Sequence, residues 1–99
     1  MTLDLNAETF QLHIGKTFTV SGAAHALTLR SVDRREVQPS EAATLAREPF
    51  TLLFSAPPGP VLVEGIHTLE LADGAAATLY VMPIHTPDPH RQDYQSVFN

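Results

Sequence analysis

Hydrophobic and polar residues alternate in several short runs, and glycine or proline separates one run from the next. In KTFTV the apolar positions are Phe18 and Val20, with threonines beside them. HALTLRSV repeats the pattern with Leu27 and Leu29. A period of two is typical of a strand that buries one face, and Gly22 between the runs favours a turn. The two runs therefore predict a first β-hairpin with these four apolar residues inward.

Two later runs also predict strands. FTLLFSA places Phe50, Leu52 and Phe54 on one face, and the PPGP that follows predicts that the chain turns there. TLYVMPI is apolar on both faces, which indicates a central strand or a strand that is covered on both sides.

The run VLVEGIHTLEL changes the parity of its apolar residues at Gly65. Leu62 is the expected inward residue before the glycine, whereas Leu69 and Leu71 are the expected inward residues after it. Such a change predicts a β-bulge or a sharp bend. His67 shares the parity of the two later leucines, so we expect a half-buried ring with a structural role.

The last run, DYQSVFN, predicts a strand with Tyr94 and Phe98 on one face and Val97 on the other. We expect this strand to be integrated in the sheet, because an unpaired edge would invite aggregation. The pattern as a whole predicts a single domain over residues 1–99. Its expected fold is all-β, a compact antiparallel β-barrel or sandwich of about six strands with one or two short helices.

The segment NAETFQLHIG fits either a helix or a strand. Asn6 is a suitable helix N-cap and Gly15 a suitable stop, yet Phe10 and Leu12 also belong to a strand-like alternation. We predict a helix over residues 7–14.

Residues 33–49 form the longest polar connection of the chain, and such a length is typical of a short helix or a functional loop. A helical turn is predicted to start at Pro39. Arg34 and Arg35 are expected at the tip of this loop, where we predict that they contribute more to contacts with a partner than to stability.

Composition excludes several functions. The chain carries six Lys and Arg against eleven Asp and Glu, a net charge of -5, and has no basic stripe, so we expect no nucleic-acid binding. No run of roughly 18 consecutive apolar residues is present, so no membrane-spanning helix is expected. The start MTLDLNAETF lacks the features of a secretory signal, which favours a cytoplasmic protein. The chain has no cysteine and therefore no disulfide or thiolate chemistry.

The stretch HTPDPHRQD contains the largest group of side chains of the kinds that bind metal ions. His85, Asp88, His90 and Asp93 lie within it. Its two prolines keep the segment extended, which places the two histidines too far apart for one ion unless the loop folds back. We therefore expect no metal and no cofactor. The chain also lacks a nucleophile elbow, a phosphate loop and a zinc-protease helix, so we expect no enzymatic activity.

Several motifs together resemble those of a known family: EPFTLLFSAP, LVEGIHTLEL, LYVMPI and the terminal YQSVFN. They are similar to a small bacterial family known only as a domain of unknown function, with EPFSLLFxGP-like, LPQGxYxLEH-like and terminal YEAVFN-like strands. The family tends to have tyrosine where this chain has His67. Because some members lie beside genes for phage tail-collar-like proteins, the resemblance implies an accessory of a tail-like or secreted particle. It implies no catalytic or binding residues.

These observations favour a non-enzymatic interaction or assembly module that binds a protein partner or a second copy of itself. The alternative is a small-ligand or metal-binding β-barrel that uses His67 and the loop at residues 85–93.

Overall fold

The alternating runs become the strands of a barrel in the computed structural model, which describes residues 2–34 and 49–98. Within those residues one short helix precedes six strands: α1 (Ala7–Gln11), β1 (Thr17–Val20), β2 (Ala26–Arg34), β3 (Phe50–Ala56), β4 (Gly65–Glu70), β5 (Ala76–Pro83) and β6 (Gln92–Phe98). The strands form a closed antiparallel barrel in the order β1-β2-β3-β6-β5-β4. The all-β prediction is confirmed, and the structure is a barrel, not a sandwich.

The barrel interior is filled by the inward residues of all six strands. The fully buried large side chains include those of Phe18, Leu27, Leu29, Phe50, Leu52, Phe54, Leu69, Val81 and Tyr94. The rings of Phe18 and Phe54 meet edge to face with centroids 5.9 Å apart. The inward positions predicted for the runs in β1, β2, β3 and β6 are therefore confirmed.

Helix α1 closes one end of the barrel. The backbone N–H of Thr9 donates to the Asn6 side-chain oxygen at 2.8 Å, which is the predicted N-cap. Phe10 is completely buried, with its ring 6.2 Å from that of Phe50 and 6.3 Å from that of Phe98. Leu12 is 76% exposed, so the strand alternative fails. The predicted helix is confirmed, although it ends at Gln11.

Neighbouring strands of the barrel share different numbers of registered pairs. Strand β6 pairs with β3 along its full length, from Phe50↔Phe98 to Ala56↔Gln92. Its registered pairs with β5 are only Met82↔Gln95 and Pro83↔Tyr94. Strands β1 and β4 likewise share two registered pairs. The barrel therefore consists of a four-stranded sheet, β1-β2-β3-β6, and a β4–β5 hairpin that is attached through a short seam on each side.

Leu3, near the N-terminus, extends the seam on the side of β5 that faces away from β4. The carbonyl of Ala75, directly before β5, accepts the N–H of Leu71, directly after β4, at 2.7 Å. The carbonyl of Ala76 therefore faces the opposite side of β5, as successive carbonyls in a strand do. Leu3 donates its N–H to that carbonyl at 2.7 Å.

One detail corrects a sequence prediction, and two others decide between the alternatives that the sequence left open. Strand β2 continues through Arg34, which pairs with Phe50, so Arg34 does not lie at a loop tip. Strand β5 is central, with β4 and β6 as its neighbours, and it is not covered on both faces. Its outer face meets solvent, where Tyr80 is 47% exposed. The parity change near Gly65 is the bend and not the bulge, because the chain bends at Glu64 immediately before β4 begins. The helical turn predicted at Pro39 lies outside the described residues.

Candidate interaction surface

The segment at residues 60–64 connects β3 to β4 without joining the sheet. The prolines of PPGP stop β3, and the chain remains irregular until β4 begins at Gly65. Gly65 has a φ of 156°, a conformation that residues with a side chain rarely adopt. Leu62 points inward and is buried, whereas Val61 and Val63 are exposed. The segment thus presents apolar side chains to solvent.

Side chains from the barrel replace the missing strand partners of this segment. The buried Tyr94 hydroxyl of β6 accepts the Leu62 N–H at 3.0 Å. His67 of β4 contacts the Val63 carbonyl through Nε2 at 2.6 Å. Since a carbonyl oxygen only accepts, Nε2 must carry the proton and donate. The half-buried ring of His67 therefore has a structural contact, as its parity predicted.

Two further contacts hold the ends of the segment. His25, directly before β2, contacts the Pro60 carbonyl through Nε2 at 2.9 Å. The Tyr80 hydroxyl of β5 donates to the Glu64 carboxylate. Four side chains, from three strands and from a turn, therefore fix one short segment, so the exposed Val63 is presented in a defined position.

Exposed apolar side chains continue from this segment onto the outer face of the barrel. Ile66 and Tyr80 are direct partners across β4 and β5, and they are 72% and 47% exposed. Val63 is 77% exposed, and Val97 is the exposed apolar residue of the neighbouring strand β6. We name these four residues, together with Glu64, the β4–β6 surface. Exposed apolar side chains that are grouped on one face are typical of interaction sites.

This face of the barrel carries negative charge and no positive charge on its strands. Strands β4, β5 and β6 contain no Lys or Arg, and their acidic residues are Glu70 and Asp93. Asp93 is buried and accepts hydrogen bonds from Ser55 and Arg91.

The hydrogen bond from Tyr80 to Glu64 raises the pKa of the phenol above its ordinary value, and desolvation and the carboxylate charge add to the effect.

The two carboxylates of the loop at residues 85–93 form ion pairs with Arg91 of the same loop. The Arg91 guanidinium lies 3.0 Å from the Asp88 carboxylate and 3.1 Å from that of Asp93. Over residues 2–34 and 49–98, no three His, Asp or Glu side chains lie close enough together to hold a metal ion. His85 and His90 belong to no such group there.

Arg34, one of the two arginines predicted to contact a partner, does not lie on the β4–β6 surface. Arg34 ends β2, and its guanidinium pairs with the Glu8 carboxylate of α1 at the end of the barrel. Arg35 lies outside the described residues. The structure therefore gives Arg34 a contact between helix and sheet that the sequence did not indicate.

Among the described residues, two surface grooves are lined by residues outside the β4–β6 surface. One, of about 410 Å³, is lined by Lys16, Thr17, Leu71, Ala72 and Asp73. The other, of about 290 Å³, lies between the β1–β2 turn and the PPGP segment.

Sequence reasoning missed the β4–β6 surface because the apolar residues on both faces of TLYVMPI were taken to indicate a central or doubly covered strand, and the exposed outer face was not considered. The parity of Ile66 opposite to Leu69, and of Tyr80 opposite to Leu79, was the available signal. The contacts of the segment before β4 had no signal in the sequence, because they join residues up to 35 positions apart.

Fold and surface define a small closed antiparallel β-barrel domain with an apolar and acidic outer face. The chain belongs to the family described as domain of unknown function DUF6916, whose family model matches residues 5–98. This confirms the expectation of an uncharacterised family of small domains. No curated protein and no solved structure matches the chain significantly. Among the described residues, no helix is long and apolar enough to cross a membrane.

Proposed function

We propose that this protein is a non-enzymatic interaction module that docks a protein partner on the β4–β6 surface. The observation that carries this proposal is the cross-strand pair of Ile66 and Tyr80, two large side chains that stand exposed on a closed barrel. Leaving them in water forgoes burial that is worth about 25 cal/mol for each Å² of apolar area. A docked partner recovers this free energy.

The rigidity of the site supports the same function. Side chains on paired strands lose less conformational entropy on binding than side chains on a loose loop. Tyrosine is enriched among residues that dominate binding energy, since its ring is large and has few rotatable bonds. The contacts that hold Val63 and Glu64 extend this advantage to the segment before β4.

The family resemblance supports a more specific proposal about the assembly to which the partner belongs. An accessory of a phage-tail-like or secreted particle must recognise another component of that particle, and a compact barrel with one apolar face suits such a role. We place this activity in the cytoplasm, where such particles are assembled before release, with no nucleic acid or membrane as partner.

The test compares three forms of the protein. The double variant Ile66→Thr and Tyr80→Thr removes the apolar pair and keeps residues that favour strands. Leu12→Thr removes another exposed apolar side chain, at the helix end of the barrel, and serves as the matched control. Each tagged form is expressed in the native host, and complexes are captured by cross-linking and identified by mass spectrometry.

We expect the wild type and Leu12→Thr to hold the same partner in a defined stoichiometry, and the double variant to lose it. Circular dichroism and the melting temperature must show that all three forms are folded. A partner that the double variant retains at wild-type levels contradicts the proposed surface.

Arg34 and Arg35 are proposed as a second contribution to partner contacts. The double alanine variant should lower the free energy of unfolding by no more than about 1 kcal/mol, because Arg34 and Glu8 form an exposed ion pair. This variant should also bind the captured partner more weakly than the wild type does. A large fall in the melting temperature with unchanged capture would assign these residues to stability alone.

A further inference from the structure

We infer that the partner is a different protein, and that the segment it places on the β4–β6 surface combines apolar side chains with Lys or Arg. This inference rests on the proposed function and specifies the chemistry of the partner at that same surface. It depends on the distribution of charge around Ile66 and Tyr80.

Basic and acidic residues are unevenly distributed along the sequence. No Lys or Arg occurs between Arg47 and Arg91, whereas five Asp and Glu residues do, at positions 48, 64, 70, 73 and 88. The first cation after that interval, Arg91, is paired with Asp88 and Asp93. The hairpin and β6 therefore present a field of one sign, which a partner of the opposite sign complements.

Glu64 places a negative charge directly beside the apolar pair. The Tyr80 hydroxyl donates to its carboxylate, which holds that charge at the rim of the exposed ring. A Lys or Arg side chain that lies across Tyr80 would meet the face of an aromatic ring and a carboxylate at once. Its aliphatic stem would cover Ile66 or Val63.

The same charges disfavour a second copy of this chain. A two-fold symmetric dimer through the β4–β6 surface places the same patch of both copies in contact. Glu64 and Glu70 of one copy would then face a surface whose strands carry no Lys or Arg to pair with them. Like charges brought together in this way oppose association.

The experiment identifies the preferred chemistry without a known partner. A random linear peptide library is displayed and selected on the folded wild-type protein, with counter-selection on the double variant Ile66→Thr and Tyr80→Thr. The enriched sequences that depend on the surface are synthesised, and their affinity is measured by fluorescence anisotropy at low and at physiological ionic strength. Glu64→Gln serves as the charge variant, with Glu8→Gln at the opposite end of the barrel as its control.

We expect the enriched peptides to combine apolar residues with Lys or Arg. Their dissociation constants should rise about tenfold in Glu64→Gln at low ionic strength, remain unchanged in Glu8→Gln, and rise for the wild type as salt is added. Sedimentation equilibrium of the wild type should show a monomer.

The other outcomes overturn the inference and separate it from the proposed function. Peptides that depend on the surface but carry no cation, or that bind Glu64→Gln with wild-type affinity, overturn the chemistry proposed here and leave the docking surface intact. Self-association that the double variant abolishes overturns the assignment to a different protein. The absence of any peptide that depends on the surface contradicts the inference and the proposed function together.

Discussion

Replacement of Phe98 by alanine tests whether the last strand is part of the barrel. Phe98 is 7% exposed, and its ring stacks on that of Phe50 with centroids 4.4 Å apart and planes within 9°. It also contacts the ring of Phe10, which closes the end of the barrel. Truncation therefore removes one member of a three-ring cluster that joins β3, β6 and α1.

The expected loss is large for a domain of this size. Emptying a buried Phe site lowers the free energy of unfolding by about 3–5 kcal/mol, and stacked aromatic pairs place this site towards the upper end of that range. A loss of about 1 kcal/mol shifts the melting temperature by roughly 4–8 °C in a domain of 60–100 residues. Phe98→Ala should therefore melt about 12–40 °C below the wild type.

Urea denaturation, followed by circular dichroism, measures this loss directly. Val97→Thr is the matched control, because Val97 is the adjacent residue on the exposed face and threonine keeps strand propensity. We expect it to change the free energy of unfolding by about 0.5 kcal/mol or less. A Phe98→Ala variant that remains monomeric and loses less than about 1 kcal/mol would refute the packing argument. It would favour a strand that pairs with another chain instead.

Three further variants test contacts of the surface and of the segment before β4. Tyr94→Phe removes the acceptor of the buried Leu62 N–H, and urea denaturation should show a loss of about 1–3 kcal/mol; an unchanged midpoint contradicts the contact. His67→Tyr should fold normally, with a melting temperature near that of the wild type, and a loss of folding counts against a purely structural ring. Titration of Tyr80 by NMR should give a phenol pKa above the ordinary tyrosine value, which Glu64→Gln lowers; the same pKa in both forms would refute the hydrogen bond.

The strands and their inward residues could be predicted because each strand buries one face. Phe50, Leu52 and Phe54 alternate with half-buried residues in the structure as they alternate in the sequence. The N-cap at Asn6 could also be predicted, since it depends on residues three positions apart. These features are local, and local physics determines them.

The interaction surface could not be predicted in the same way. The position of Val63 depends on His67, but the segment before it depends on Tyr94 and His25, which lie far away in the sequence. The length of β2 was also misjudged, because the charged residue Arg34 suggested a loop although it pairs with Phe50 of β3. Contacts between distant strands determine both features.

The short seams of the barrel have a consequence for hydrogen exchange. The β4–β5 hairpin has six registered pairs within itself but two with each neighbouring strand, so the opening of lowest free energy is its detachment as a unit from the four-stranded sheet. Its amides at the seams should therefore exchange together, at a lower free energy than those between β3 and β6. A ligand that contacts Tyr80 and Val97 at once bridges β5 and β6, and it should slow exchange on both sides of that seam without touching the backbone.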